Sequence, residues 1–232
     1  MRKTFLVFIF FLTALWSAHA QRLGRFTMSK FAAGGQNNIA YPMQKSFFGK
    51  LPSNSIMGYV QNDTTFYFMY LWLPTPVKEL GLQLISPVPQ FSSAWKGDYE
   101  AADYHDSLKA EGKYFDPNLE VSFCRFMESD LLEDTTRNRL LARLEGRNDN
   151  SSEAPVQPSM KRNNSLIRLG VTETDTSYVA AGLYTLTIRS SNGEKPEGTF
   201  VLQIGVTEIV PGLKLFWKPD EFLDRLVTGE HK

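Results

Sequence analysis

Nine consecutive residues, Phe66-Tyr-Phe-Met-Tyr-Leu-Trp-Leu-Pro74, restrict this chain more than any other feature. In an extended backbone successive side chains point to opposite faces. Phe66, Phe68, Tyr70 and Trp72 then share one side, and Tyr67, Met69, Leu71 and Leu73 the other. One face is aromatic and the other largely aliphatic. A half-exposed strand would alternate with polar residues, so this one needs cover on both faces. Pro74 and Pro76 stop the run well short of the roughly 20 residues that a membrane-spanning helix requires. A transmembrane barrel strand would place polar side chains toward the lumen, and none are here. The run is expected to be a central core strand.

The first twenty residues are a separate matter. "MRKTFLVFIFFLTALWSAHA" starts basic at Arg2 and Lys3, is apolar from Phe5 to Trp16, and ends in the small residues Ala18 and Ala20. This is the pattern of a signal peptide, residues 1–20, cut after Ala20. The chain carries 25 Lys and Arg against 25 Asp and Glu. Removing Arg2 and Lys3 leaves 23 against 25, a net charge of −2. No basic run or stripe is present, so the long-range attraction that drives binding to nucleic acid or to an anionic membrane is missing. Cys124 is the one cysteine. An exported chain with a single cysteine has no internal disulfide framework. In the apolar stretch 119–127, Cys124 reads as a small core residue. Only His105 lies within the body of the chain, which argues against a cysteine or serine hydrolase and against a His-rich zinc site.

Along the chain, residues 21–54 are rich in Gly, Ser, Asn and Gln and read as a loosely ordered N-terminal segment with room for one edge strand. "SIMGYVQ" (55–61) alternates, and "QNDT" (61–64) supplies turn residues before the apolar run. A short helical turn is expected at 76–80, ending at Gly81, followed by an extended "LQLISP". The charged stretch near 95–112 suits a peripheral helical insertion. "LEVSFCRFM" (119–127) returns to strand, and leucines at helical spacing mark a second helix near 129–146. After a polar loop, "SLIRLG" (165–170), "GLYTLTIRS" (182–190) and "GTFVLQIGVTEIV" (198–210) read as strands, with a hairpin-type connection between the last two. A short amphipathic helix near 219–228 closes the chain. About seven strands joined by turns, with helices at the margins, make residues 55–232 a single mostly β domain, a two-sheet sandwich with peripheral α-helices.

Four segments carry a family likeness: "GYVQNDTTFYFMYLWLPTPVKELGLQLISP" (58–87), "YFDPNLEVSFCRFM" (114–127), "NNSLIRLG" (163–170) and "GLYTLTIRSSNGEKPEGTFVLQIG" (182–205). Together, and in this order, they resemble the major surface lipoprotein of pathogenic Leptospira, the LipL32-like family, with its marine bacterial relatives. The likeness runs from about Ile56 to about Leu215, and its most specific pieces are "GLQLISP" and "GLYTLTI". It implies a jelly-roll-type β-sandwich decorated with helices, on the outer membrane of a Gram-negative cell, without a catalytic site. It also implies adhesion to extracellular or matrix-like protein partners such as laminin, fibronectin and collagens, and calcium as a ligand. Family members are anchored through an acylated cysteine just after the signal peptide. Here the cleavage region reads "ALWSAHAQR" and Cys124 is too distant, so a protein exported to the periplasm, the outer-membrane surface or the exterior without an acyl anchor is expected.

The resemblance also implies a metal site. The family's aromatic-Phe-Asp ligand falls on Asp116. Pro117 stands where the family has threonine, which removes a hydroxyl and keeps a carbonyl. The family's acidic loop falls on "GRNDNSSEAP" (146–155), thinned to Asn148, Asp149, Asn150 and Glu153. A tyrosine ligand before "NSL" is replaced by Asn163. Calcium takes six to eight oxygen ligands, and fewer carboxylates weaken its hold, so a weak calcium site is expected. The same residues also read as a solvated loop at 148–153 and a turn cap at Asp116.

The expected function is a non-catalytic binding module for a protein or glycan. Tyr99, Tyr104 and Tyr114 would form a contact patch or else seal the insertion onto the core. The alternative is an abundant structural envelope protein without a dedicated ligand. Glu100, Asp103, Asp106 and Glu111 recur at no spacing that implies the paired acids of a glycan hydrolase or lyase, and a helix surface explains them more simply.

Overall fold

The computed structural model describes residues 27–32, 35–90, 92–123, 153–157, 162–170, 178–191 and 193–218. The described chain is mostly β. It begins with β1 (Thr27–Ala32), β2 (Gly35–Ala40) and β3 (Met43–Leu51). The hairpin strands β4 (Gly58–Gln61) and β5 (Thr64–Leu73) follow, then β6 (Leu80–Ser86), β7 (Tyr99–Glu100) and the 3-10 helix η1 (Asp106–Glu111). Next come β8 (Pro117–Phe123), β9 (Glu153–Gln157) and β10 (Arg162–Leu169), and last β11 (Gly182–Ser190), β12 (Gly198–Val206) and β13 (Lys214–Phe216).

β1 and β2 form a separate two-stranded sheet. A six-stranded sheet has the order β7-β3-β12-β6-β10-β9, and a five-stranded sheet the order β13-β5-β11-β8 with β4 also on β5. Within these sheets the β3–β7 pairing is parallel. Both large sheets contribute to one apolar cluster: Phe47, Leu84 and Leu202 from the first meet Met69, Leu119 and Leu186 from the second. Ring contacts join the two layers, with Phe47 5.0 Å from Trp217 between centroids.

The aromatic run is β5, and it is covered on both faces as its pattern requires. Tyr67, Met69, Leu71 and Leu73 enter the shared core. Phe68, Tyr70 and Trp72 are buried on the opposite face, beside Leu183, which pairs with Trp72, and Phe216, which pairs with Tyr70. Each such side chain removed from water contributes about 1.5–3 kcal/mol, so β5 fixes the five-stranded sheet. The turn before it is set by Asn62 (φ 49°) and Asp63 (φ 62°), the left-handed pair that a two-residue hairpin of this twist demands.

Several expectations are corrected. The segment 21–54 is not merely an edge: β3 lies inside the six-stranded sheet, between β7 and β12. Adjacent Phe47 and Phe48 point to opposite faces and are both buried, which the surrounding Lys and Gln residues disguise. The insertion near 95–112 is not an α-helix. Its helical part is the single 3-10 segment η1, ended by Gly112 at φ 68°. Asp98 accepts hydrogen bonds from the Ser46 and Trp95 N–H groups, and such side-chain bonds to the backbone compete with helix. The turn at 76–80 is not helical either. Val77 forms an isolated bridge with Val179, and Leu80 already belongs to β6. β11 and β12 lie in different sheets, so the connection between them crosses from layer to layer and is no hairpin. The proposed helices near 129–146 and 219–228 and the signal peptide lie outside the described residues. Among the described residues, no helix is long and apolar enough to cross a membrane.

Candidate functional site

Three of the six residues expected to bind calcium, Asp116, Asn163 and Glu153, lie within the described residues, and their main chain is near one corner of the fold. Asp116 immediately precedes β8, half-buried, and its carbonyl accepts a 2.8 Å hydrogen bond from the Ser191 N–H. One residue earlier, the Phe115 N–H donates to the Ser86 hydroxyl at 3.2 Å. Ser86, fully buried, in turn donates to the Thr199 carbonyl at 2.9 Å. Ser86 is the last residue of β6 and the register partner of Asn163 on β10. The start of β8 and the start of β10 are thus tied to the same point.

Glu153 opens β9 and pairs with Ser165, two residues along β10 from Asn163. The β9–β10 ladder shifts register between Arg162 and Asn164, opposite Asn163. Bulges of this kind re-aim side chains and recur beside functional sites. Three of the six candidates therefore lie on or next to strands that meet at this corner, Glu153 on β9, Asn163 on β10 and Asp116 just before β8. Asn148, Asp149 and Asn150 lie outside the described residues. Among the described residues no three His, Cys, Asp or Glu side chains cluster as a metal site.

Ser191 is a residue that the sequence does not advertise. Its hydroxyl oxygen is shielded from solvent and has no hydrogen-bond partner among the described residues, while its own N–H holds the Asp116 carbonyl. Within "SSNGEKPEG" a serine looks like any turn residue. A partnerless hydroxyl on a residue whose main chain is bonded to that of Asp116 is a fitting oxygen for a hard cation, which accepts neutral oxygens alongside carboxylates.

Most of the aromatic and acidic candidates of the 92–114 stretch have structural employment. Tyr104 is buried, its ring 5.8 Å from Phe48, so it seals the 92–112 segment onto the six-stranded sheet. Burial raises its phenol pKa well above the usual value, with the Asp106 charge adding to the effect. Tyr99 is half-buried, with the Lys45 ammonium 5.0 Å above its ring. Tyr114 is exposed. Among the acids, Asp103 accepts from the Ser53 hydroxyl at 2.9 and 3.0 Å and from the Asn54 N–H at 3.0 Å. Asp106 pairs with Lys109 at 2.7 Å. These bonds hold loops in place and assemble no carboxylate pair.

A second polar group lies on the outer face of the six-stranded sheet. The Tyr41 ring covers Gly205, and its hydroxyl donates to Glu79 Oε1. Arg168 Nε stands 3.9 Å from the same oxygen. Burial, then the hydrogen bond to Glu79, pushes the Tyr41 phenol far above its ordinary pKa. A phenol held neutral in this way is a clamp for the chain entering β3.

A family model described as "Surface lipoprotein of Spirochaetales order", Lipl32, matches residues 35–215, more than half of the chain. No curated protein matches it.

Proposed function

Since this chain belongs to the Lipl32 family of surface lipoproteins, we propose that it is a non-catalytic binding module of the cell envelope. Its partner is an extracellular protein or glycan, and a weak calcium site sits at the Asp116 corner. The observation that carries the reading is the orphaned Ser191 hydroxyl beside Asp116, where β8 and β10 are tied together through Ser86. Asp116, Ser191 and Asn163, with Glu153 and the 148–150 loop, would supply the oxygens. A bound ion would neutralise the carboxylates at a surface used for recognition.

The scaffold supports the reading. Two sheets, with β3-β12-β6-β10 in one and β5-β11-β8 in the other, are the kind of layered scaffold that the proposed jelly-roll-type sandwich would use. Family membership supports an envelope location and a surface role. The outer-membrane position, adhesion and partner classes are carried by analogy with the family.

Isothermal titration of the mature protein with calcium tests the site. With few carboxylates, the dissociation constant should fall at about 10⁻⁴–10⁻³ M, the range of extracellular modules. Asp116→Ala should abolish the heat and the accompanying rise in melting temperature. Absence of both in the unaltered protein would remove the site. Capture from an array of matrix proteins and glycans, with and without calcium, then tests recognition. A second reading, an abundant envelope protein that organises the surface, is favoured by the exposed apolar edge at β4. Cell-fraction abundance separates the two, since a coat must be plentiful.

A further inference from the structure

Beside β7, at the edge of the six-stranded sheet, a turn over residues 95–98 presents Trp95 to solvent. The indole is 51% accessible, yet its main chain is fixed. The Trp95 N–H donates to Asp98 Oδ2 at 2.9 Å, and its carbonyl accepts from the Asp98 N–H at 2.9 Å. Asp98 Oδ1 accepts from the Ser46 N–H of β3 at 2.9 Å, which pins the turn to the sheet. Gly97 takes φ 95°, a conformation that glycine adopts without strain. An exposed ring on a main chain already ordered has little freedom left to lose on binding.

Ammonium groups and further rings surround this turn. Lys45 Nζ lies 5.0 Å from the Tyr99 ring centroid and donates to the Gly97 carbonyl at 3.4 Å. Lys96 is exposed within the turn itself. The half-buried Tyr99 ring meets that of Trp217 edge-on at 6.4 Å, and the exposed Lys218 follows Trp217. Two carboxylates are close in sequence, and neither is offered to a ligand here. Both Asp98 oxygens accept from backbone N–H groups. Glu100 follows Tyr99 on β7, so its side chain leaves by the opposite face. There, after burial and Asp106, its charge adds to the rise of the Tyr104 phenol pKa.

We propose that Trp95, Lys45 and Lys96 form a site for an acidic glycan, a saccharide chain bearing carboxylate or sulfate groups. One sugar ring lies against the indole, and its acidic groups meet the two ammoniums. An extended peptide would add to an open sheet edge, and β7 offers only Tyr99 and Glu100 for that. A membrane surface takes up a face with several apolar side chains. Among the described residues of β3 and 92–112, Trp95 is the one exposed large hydrophobic side chain. A nucleic acid would offer the same charge and stacking, and membership of a surface-lipoprotein family favours the saccharide. The site narrows the partner of the proposed binding module and rests on that reading, but it needs no calcium.

Isothermal titration of the mature protein, with calcium chelated, tests the site. The probes are a sulfated and a carboxylated hexasaccharide, with maltohexaose as the uncharged control. At least one acidic probe should bind and maltohexaose should not, and added salt should weaken the binding, since exposed charges are screened. Trp95→Ala should weaken it about 30-fold, as truncating an aromatic hot spot does, at unchanged melting temperature. Trp95→Phe should keep most of it. Lys45→Gln and Lys96→Gln should each cost about threefold, the size of an exposed ion pair. No heat with either acidic probe overturns the proposal, as does binding that Trp95→Ala leaves intact. Equal binding of a glutamate peptide, a single-stranded DNA oligomer or phosphatidylglycerol vesicles through the same three residues also overturns it. Capture of a different partner on the matrix and glycan array, unaffected by Trp95→Ala, would remove this site and leave the binding module standing.

Discussion

Gly205→Ala tests whether the chain entering β3 is docked or loose. A Cβ at position 205 would stand 2.3 Å from Tyr41 Cδ2, 2.5 Å from Cγ and 2.8 Å from Cε2. Carbon atoms settle about 3.5–4.0 Å apart, so the ring must retreat by about 1 Å or more. Rotating the ring gives no relief, because Cγ lies on its rotation axis. The retreat carries the hydroxyl away from Glu79, whose side chain is only 9% accessible. Overpacking costs about 1–3 kcal/mol, and a lost hydrogen bond to a charged group about 1.5–3 kcal/mol. Replacing a strand glycine with alanine returns about 0.5–1 kcal/mol. The net loss should be about 2–5 kcal/mol, read as a lower urea midpoint at unchanged slope in tryptophan-monitored unfolding. In a Tyr41→Ala background, itself destabilised by about 3–5 kcal/mol, the new methyl enters vacated space. There Gly205→Ala should cost nothing or stabilise slightly. A cost equal in both backgrounds would show that the two residues do not touch, and the docking of the N-terminal segment would fall with it.

Alkaline pH should destabilise the protein. Burial raises the phenol pKa values of Tyr41, Tyr67, Tyr104 and Tyr184 above that of the unfolded chain, about 10. Their contribution is complete below that pH and is lost as pH rises beyond it, so the melting temperature should be level to about pH 9.5 and fall thereafter. A melting temperature still level at pH 11 would refute the burial of these hydroxyls. Met69→Ala, in the shared core, should cost about 2–5 kcal/mol. Tyr59→Ser, on the exposed edge, should cost less than about 0.5 kcal/mol, and chemical denaturation of the two side by side is the check. Asp103→Ala strips an acceptor from Ser53 and Asn54 and should cost about 1–2 kcal/mol. Faster hydrogen exchange confined to 53–56 would report it.

Much of this framework was legible because β5, β11 and β12 are long and apolar. β11 occupies the stretch read from "GLYTLTIRS", and the β4–β5 turn falls at the Asn-Asp pair. β3 was not legible, because its two core residues are adjacent and flanked by Lys45 and Lys50. Period-two alternation is invisible when one face is covered by a remote segment, here Tyr104. The 95–112 stretch misled for the converse reason. Its composition favours helix, but Asp98 accepts from the Ser46 N–H and Asp103 from the Ser53 hydroxyl and the Asn54 N–H, and those bonds to a remote segment are non-local. The β11–β12 connection has hairpin composition, and only the sheet partners of each strand show that it changes layers.

At the corner, sequence could place Asp116, Asn163 and Glu153 in a set by family likeness but could say nothing of what aligns them. That is done by Ser86, which accepts from Phe115, donates to Thr199 and sits opposite Asn163. The β8–β11 ladder adds a second restraint by pairing Pro117 with Ser190, flanking the Ser191–Asp116 bond. The main chain at Asp116 is therefore fixed by bonds that need no ion. Calcium affinity depends on both ligand charge and site rigidity, and a pre-formed cradle avoids the ordering cost that a loop must meet on binding. In the proposed site, rigidity at Asp116 and Ser191 partly offsets the carboxylates thinned from the 146–155 loop. The balance between those two terms is what sets its affinity.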